Sequence, residues 1–517
     1  MTCLAPPSGW RPRERLLSGG RGHVTGGRQR EPRDVASDRV GHVEQRGIEF
    51  VPEQDRHGRP FDLATVFFGS QLTYGSIIMG ALPIAFGLTV LQSLAAILVG
   101  TLIGALSVAA MALMGPRSGT NSVVASGAFF GIRGRHVGST ITEVIDLGYF
   151  GMTLWICATQ LAQLLQLTAG VPDGGVSRFC CIVVCALLML AIGLFGHATI
   201  VAYQRIISCV TVVMIGIIVL ACWLKPVGHP AAPGHFQFGG FWGSWTLAVS
   251  TLIANAISYA PFAGDYARYL PTRTSSVRLF CATLLGMFCG CALGIGAGVI
   301  LALHVKDPYN VTSEMLTSLP LWLLIPVSLA TLGANACSGG MVVYNGILSL
   351  HAILFRLRRI QVAYLFGTLG LVLGYFGLIV YNMAESIMAL CSVVTMLVTP
   401  WIMINILGYF RAAGRFDVEA LQCFRHAAAS RYWYSRGYNI PAILAWVLAV
   451  IAGLPFAANS VFVGPAAAYF HGVDLSVVVS ALVGALTYSV LGRTAPYPPG
   501  ADNAGPSDGV TTAIIQS

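Results

Sequence analysis

After residue 60 the chain is a succession of long apolar runs separated by short polar stretches. A helix needs about 20 such residues to cross roughly 30 Å of hydrocarbon. By that measure about twelve membrane spans are predicted, near residues 64–90, 93–115, 142–168, 179–197, 204–224, 245–264, 279–304, 321–352, 362–380, 386–408, 440–460 and 473–492. The segment ending at 352 is long for one span, so Leu319–Pro326 is expected to form a separate helix or loop on the outer face. Residues 1–62 read as a polar cytoplasmic tail whose first forty or so positions are disordered, 63–492 as the twelve-helix domain, and 493–517 as a second cytoplasmic tail.

Two of the runs are interrupted. Thr251–Pro271 is broken around Ala260–Gly264, at Pro261 and Gly264, and ends in charged residues. Proline lacks an amide hydrogen and clashes with the turn before it, so carbonyls are freed that lipid cannot satisfy. Asn255, Ser258 and Tyr259 lie just before this break. The first run carries Gln71, Thr73, Tyr74, Gly75 and Ser76, followed by Gly80 and Pro83. Breaks in spans one and six stand five helices apart, as expected for an all-α integral membrane carrier with five-plus-five inverted repeats and its site near the broken helices.

Charge placement tests the count. With the amino terminus inside, the cytoplasmic loops collect Arg117, Arg133, Arg135, Arg205, Arg268, Arg273, Arg278, Arg356, Arg358, Arg359, Arg411, Arg415, Arg425, Arg431 and Arg436, against Arg178, Lys225 and Lys306 outside. That bias is the positive-inside signature, and it places both termini in the cytoplasm. Composition agrees, since 55% of the 517 residues are hydrophobic, 10% are charged and the mean hydropathy is +0.72. The formal charge of +9 therefore reports topology, not nucleic-acid binding. Most of the 13 cysteines lie in apolar runs without CxxC spacing and read as packing residues. No HExxH, GxSxG or P-loop spacing occurs, so nothing points to an enzyme or to a bound cofactor.

Ionisable residues at membrane depth are few. Glu143 and Asp146 share a helix face at the start of span three and are expected to pair with Arg133 or Arg135 rather than to carry protons. Glu385, at the start of span ten, is expected at the interface. Farther along span three, Tyr149 and Thr153 share a face, with Trp155, Thr159, Gln160 and Gln163 beyond them. Aromatic, hydroxyl and amide groups near two broken helices suit a flat, uncharged heterocycle. Span eight adds Thr331, Asn335, Cys337, Ser338, Tyr344 and Asn345. A hydroxyl there, facing an opened first helix, is a candidate Na⁺ ligand, while Gly333, Ala334, Gly339 and Gly340 form a small-residue packing face.

Three stretches strongly resemble the purine-cytosine permease branch of the nucleobase:cation symporter-1 family: GIEFVPEQDRHGRPFDL before the first span, MGPRSGTNSVVASGAFFG at Met114–Gly131, and DYARYLP at Asp265–Pro271. The resemblance runs from about residue 43 to 492. It implies a LeuT-type fold that imports nucleobases or related compounds such as cytosine, purines, uracil, allantoin, hydantoins or thiamine with Na⁺ or H⁺, the substrate stacked between aromatics of spans three and six. GYFGMT at Gly148–Thr153 then makes Tyr149 the stacking aromatic and Thr153 its polar neighbour, where hydantoin-type carriers hold Trp and Gln. The span-six aromatic falls near Ala256, so Tyr259 is the available substitute. In span eight the family's adjacent hydroxyl pair falls at Cys337 and Ser338, and its following Asn at Gly339.

The expected substrate-binding set is Gln71, Tyr74, Tyr149, Thr153, Asn255, Ser258, Tyr259 and Asn335. Ser338, with carbonyls near Gly75 and Ser76, is the expected Na⁺ site if Na⁺ rather than H⁺ is the coupling ion. The expected protein is a plasma-membrane symporter, a monomer in the lipid bilayer, for a small heterocycle. A same-fold carrier for another solute, such as an amino acid, is the alternative, and behind it a non-transport membrane receptor. A cationic solute would want a buried carboxylate near the breaks, and none lies in spans one, six or eight.

Overall fold

The computed structural model describes residues 38–172, 174–223, 234–238, 240–380, 383–424, 428, 430–458, 462–470 and 473–492. The tails before 38 and after 492, and the side chain of Glu385, lie outside them.

The described chain is all-helical. In order it forms α1 (Pro60–Ser70), α2 (Tyr74–Ala85), α3 (Val90–Ala112), the short α4 (Met114–Ser118), α5 (Ser122–Ala125) and α6 (Gly127–Phe130), α7 (Arg135–Ala169), α8 (Gly175–Phe195) and α9 (His197–Trp223). There follow α10 (Phe241–Ile257), α11 (Ala260–Ala267), α12 (Ser276–Ala302), α13 (Val311–Ser318), α14 (Leu321–Ile353), α15 (Arg359–Val380), α16 (Met383–Arg411), α17 (Val418–Leu421), α18 (Ile440–Gly453) and α19 (Ser476–Leu491). Among the described residues, nine helical stretches are long and apolar enough to span a membrane, and the shorter α2, α18 and α19 regions complete the twelve predicted positions. Leu319–Pro326 is not a separate helix or loop as expected: α14 starts at Leu321 and runs unbroken through Pro326, and the separate short helix is α13, upstream of that segment.

Both interruptions exist, with different anatomy. α1 stops at Ser70, and α2 restarts after Thr73, whose extended backbone and side-chain oxygen cap the new helix by accepting from the Ser76 amide at 3.3 Å. Span six is only offset: Ser258 (φ −59°, ψ −22°) and Tyr259 (φ −83°, ψ −10°) stay near helical, and Pro261 sits in the first turn of α11. A first-turn proline forfeits no hydrogen bond, so the gap falls before it and not at Ala260–Gly264.

The repeat appears in what each broken span lies against. α1 and α2 pack on α12 (span seven), and α10 and α11 pack on α3 (span two), the exchange expected when spans one to five repeat as six to ten. Both seams are glycine-lined. A Cβ on Gly286, Gly290, Gly294 or Gly298 of α12 would strike the carbonyl oxygen of Ala64, Phe68, Gln71 or Ile77 in turn. On α3, a Cβ at Gly100 would come 2.9 Å from the Val249 carbonyl oxygen, and one at Gly104 3.1 Å from that of Ile253. Small residues every four positions allow this backbone contact, the usual way helices associate in lipid.

On the face where α1 begins, the three resemblance-carrying stretches interlock. Arg56 donates to the carbonyls of Val51 (2.8 Å) and Pro116 (2.7 Å), and Thr120 to that of Ile48 (2.9 Å). Asp265 accepts from the Ser122 amide at 2.8 Å, while Ser122 Oγ accepts from the Gly264 amide at 3.0 Å.

Candidate functional site

A narrow cavity lies where the first-span break, α7, α10–α11 and α14 meet. It is lined by Thr73, Gly75, Ser76, Met79, Tyr149, Met152, Thr153, Ile156, Asn255, Tyr259, Asn335 and Ser338, and its free volume is about 40 Å³. None of these side chains carries a charge at neutral pH.

Five of the eight expected substrate residues, Tyr149, Thr153, Asn255, Tyr259 and Asn335, line the cavity. Tyr149 and Thr153 from α7 and Tyr259 from the span-six break bring aromatic and hydroxyl groups to one space. Asn255 lines it and donates to Gln71 Oε1 at 2.9 Å; Gln71 itself stands behind the lining. Asn335 is engaged on both sides of its amide, accepting from the Tyr74 backbone N–H at 3.2 Å and donating to Gln160 Oε1 at 3.2 Å. Gln160 in turn donates to Thr331 Oγ1. Asn335 thus braces α2 against α7 and α14, and Tyr74 takes part through its backbone. Ser258 lies outside the lining, its hydroxyl donated to the Asn255 carbonyl at 2.8 Å.

Thr73, Met79, Met152 and Ile156 also line the cavity and were not among the expected ligands. Helical spacing carries the signal for two of them: Met152 and Ile156 stand three and seven residues beyond Tyr149, on its face.

The groups considered for Na⁺ are arranged as follows. Gly75 and Ser76 lie in the first turn of α2, where amides are exposed and carbonyls turn into the helix. The carbonyls freed at the break belong to the last turn of α1. Tyr259 OH stands between one of them, Ser70 O at 3.5 Å, and Ser338 Oγ at 3.4 Å. Cys337 donates its thiol to Gln204 Oε1 of α9 at 2.7 Å.

Glu143 and Asp146 do not meet the loop arginines. Arg133 lies over the Trp433 ring and reaches the Arg436 carbonyl, and Arg135 lies over the Phe424 ring and reaches the Leu421 carbonyl. Both arginines face the loop segments after α16, where carbonyls and rings offer partners without burying a second charge. Asp146 accepts instead from Asn345 Nδ2 of α14 at 2.7 Å.

Below the cavity the face carrying the start of α1 is sealed by Glu44. Its carboxylate accepts from Tyr269 OH (2.6 Å), Tyr344 OH (3.2 Å) and the His197 amide (3.0 Å), and pairs with Arg268 (3.5 Å) and Arg359 (3.7 Å). Asp38 joins the same segment to α9, 2.7 Å from His197 Nδ1 and accepting from the Ala198 amide at 3.0 Å. Burial opposes ionisation of Asp38, yet His197 and that amide hold its carboxyl below the usual carboxylate value.

Comparison with known proteins agrees with this geometry. The chain is 27% identical over 462 residues to a putative purine-cytosine permease of Bacillus subtilis, covering 87% of this chain and 96% of that one. It is 22% identical over 470 residues to a purine-uracil permease of Arabidopsis thaliana, covering 84% and 75%. In fold it is similar to Mhp1, a nucleobase-cation-symport-1 family transporter, in a closed conformation with bromovinylhydantoin bound (TM-score 0.68, 17% identity, 93% of this chain and 99% of that one). It is equally similar to the inward-facing conformation of Mhp1 (TM-score 0.68, 19% identity, 90% and 100%). Residues 50–484 match the family described as permeases for cytosine/purines, uracil, thiamine and allantoin, and the chain belongs to that family.

Proposed function

We propose that the protein is a secondary active symporter that imports a nucleobase or a related neutral heterocycle by alternating access, in the cell membrane and with both termini in the cytoplasm. The observation that carries this reading is the uncharged cavity between the two interrupted spans, with tyrosines from spans three and six beside amide and hydroxyl groups. A flat ring is held by aromatic faces and a few directed hydrogen bonds, and a charged solute would meet no counter-charge in this lining. The names of the relatives, a purine-cytosine and a purine-uracil permease, support the same class. In this reading Tyr149 and Tyr259 flank the ring, Thr153 and Asn255 address its polar edge, and Asn335 holds the first-span break in register. The seal at Glu44 closes the inner side until the cycle opens it.

The test is uptake of labelled cytosine, hypoxanthine, uracil, allantoin, hydantoin and thiamine by proteoliposomes. Saturable uptake of at least one, competed by its unlabelled form, is expected. Absence of saturable uptake across the panel rejects the substrate class.

A further inference from the structure

Glu143 and Asp146 stand one turn apart on α7 and are 8% and 0% exposed. Of their four carboxyl oxygens, one, Asp146 Oδ2, has a protein partner, Asn345 Nδ2. Asp146 Oδ1, both Glu143 oxygens and Asn345 Oδ1 have none, although Asn345 is itself 0% exposed. While the carboxyls are ionised all four orphan atoms are acceptors, so what the cluster lacks is hydrogen. Burying a carboxylate without a cation costs far more than burying its neutral acid.

Among the described residues, no cation is paired with either carboxyl. The ionisable groups facing Asp146 are Glu143 on its own helix and Asp265 on α11, both acidic. α14 contributes Asn345, and α16 contributes the Cys391 thiol, 4.0 Å from Tyr149 OH. Asp265 is different, for Arg268 offsets it and the Ser122 amide donates to it. Arg133 and Arg135 are turned to the loops after α16, as described above.

Its place in the fold fits a coupling role. Asp146 lies three residues, about 4.5 Å along the helix, from Tyr149 in the cavity wall, and roughly 16 Å from the start of α7. The Asp146–Asn345 bond ties α7 to α14, the two spans that frame the cavity opposite the breaks.

We propose that Glu143, Asp146 and Asn345 form a proton-binding site, and that the coupling ion is H⁺. The proposal rests on the symporter reading. With a proton on each carboxyl, the cluster is neutral and α7 closes on α14. Loss of either proton leaves a buried carboxylate with at most the Asn345 amide as its protein donor, so release is favoured when the inner side opens to water. Na⁺ is less well served, because the oxygens at the break, Ser70 O and Ser338 Oγ, already share the Tyr259 hydroxyl.

Two measurements test this. Infrared spectra of the solute-free protein in nanodiscs, titrated from acid to alkaline pH, should show the C=O band of a protonated carboxyl that Asp146→Asn removes; Glu143→Gln serves should that variant not fold. In proteoliposomes an inward proton gradient should drive accumulation of labelled cytosine or hypoxanthine at least fivefold over no gradient, with no response to Na⁺ at fixed pH. Asp146→Asn should lower gradient-driven accumulation at least tenfold more than it lowers counterflow. A wild-type spectrum without a band attributable to either carboxyl overturns the proposal, as does accumulation driven by Na⁺ but not by protons, or proton-driven accumulation undiminished in Asp146→Asn. The band without saturable uptake of any panel solute leaves the proton site standing and rejects the substrate class.

Discussion

Asn255 of α10 donates its side-chain amide to Gln71 in the gap between α1 and α2, at 2.9 Å, so a buried side-chain hydrogen bond joins the two interrupted spans at the cavity, beside the contact of Tyr259 OH with Ser70 O. Removing one partner leaves the other unsatisfied, at about 1–3 kcal/mol. Gln71→Ala is therefore expected to lower transport roughly tenfold or more by displacing Asn255. The double variant Gln71→Ala/Asn255→Ala should lose less than the sum of the single losses. Uptake rates over that mutant cycle check this, and strict additivity of the two losses would dissociate the pair.

Tyr149 offers its ring to the cavity and turns its hydroxyl to the wall, toward the Ser258 hydroxyl and the Cys391 thiol, the latter at 4.0 Å. Ring and hydroxyl should therefore separate. Tyr149→Phe should leave the apparent KM within about threefold, while Tyr149→Ala should raise it roughly tenfold, from loss of an aromatic contact of about 0.5–1.5 kcal/mol plus its buried area. KM for the preferred panel solute is the readout, and equal effects would mean that the hydroxyl is what binds.

Glu44 holds two buried guanidinium groups, Arg268 with a side chain 0% exposed and Arg359 with one 7% exposed. Deleting one member of a buried ion pair typically costs about 3–5 kcal/mol, because the remaining charge is stranded. Glu44→Ala should lower the melting temperature in detergent and increase labelling of inner-face cysteines introduced near Arg268. Glu44→Gln, which keeps hydrogen-bond acceptance without charge, should fall between wild type and Ala.

Gly294 of α12 leaves no room for a methyl group beneath the Gln71 carbonyl. Gly294→Ala should force α12 away from the first-span break at a cost of about 1–3 kcal/mol. Gly296, on the same helix with nothing near its missing Cβ, is the control. Thermal stability and uptake should both drop in the first variant and hold in Gly296→Ala.

The span count, the pairing of the two breaks and the composition of the cavity were legible in the chain, because each rests on local pattern: run length, Pro and Gly placement, and helical spacing from Tyr149. Three features were not. Pro261 marked the break but not its position, since a proline is comfortable in the first turn of the helix that follows. Whether Asn335 touches solute or braces the break depends on Tyr74 and Gln160, which are 261 and 175 residues away along the chain. The expected pairing of Glu143 and Asp146 with loop arginines failed for the same reason, as the partners that draw Arg133 and Arg135 away come from the distant 421–436 segment.

The glycine seams have a further consequence. Interdigitated side chains must be withdrawn before one helix can shift past another, and each withdrawal needs a change of rotamer. Along Gly286, Gly290, Gly294 and Gly298, and again at Gly100 and Gly104, there is nothing to withdraw. Each interrupted span rests on a plain bearing, so resistance to its movement comes from the few polar ties across the cavity. Those ties are the groups that a solute or a proton can replace, and control of the cycle passes to chemistry at the site and away from the mass of the packed bundle.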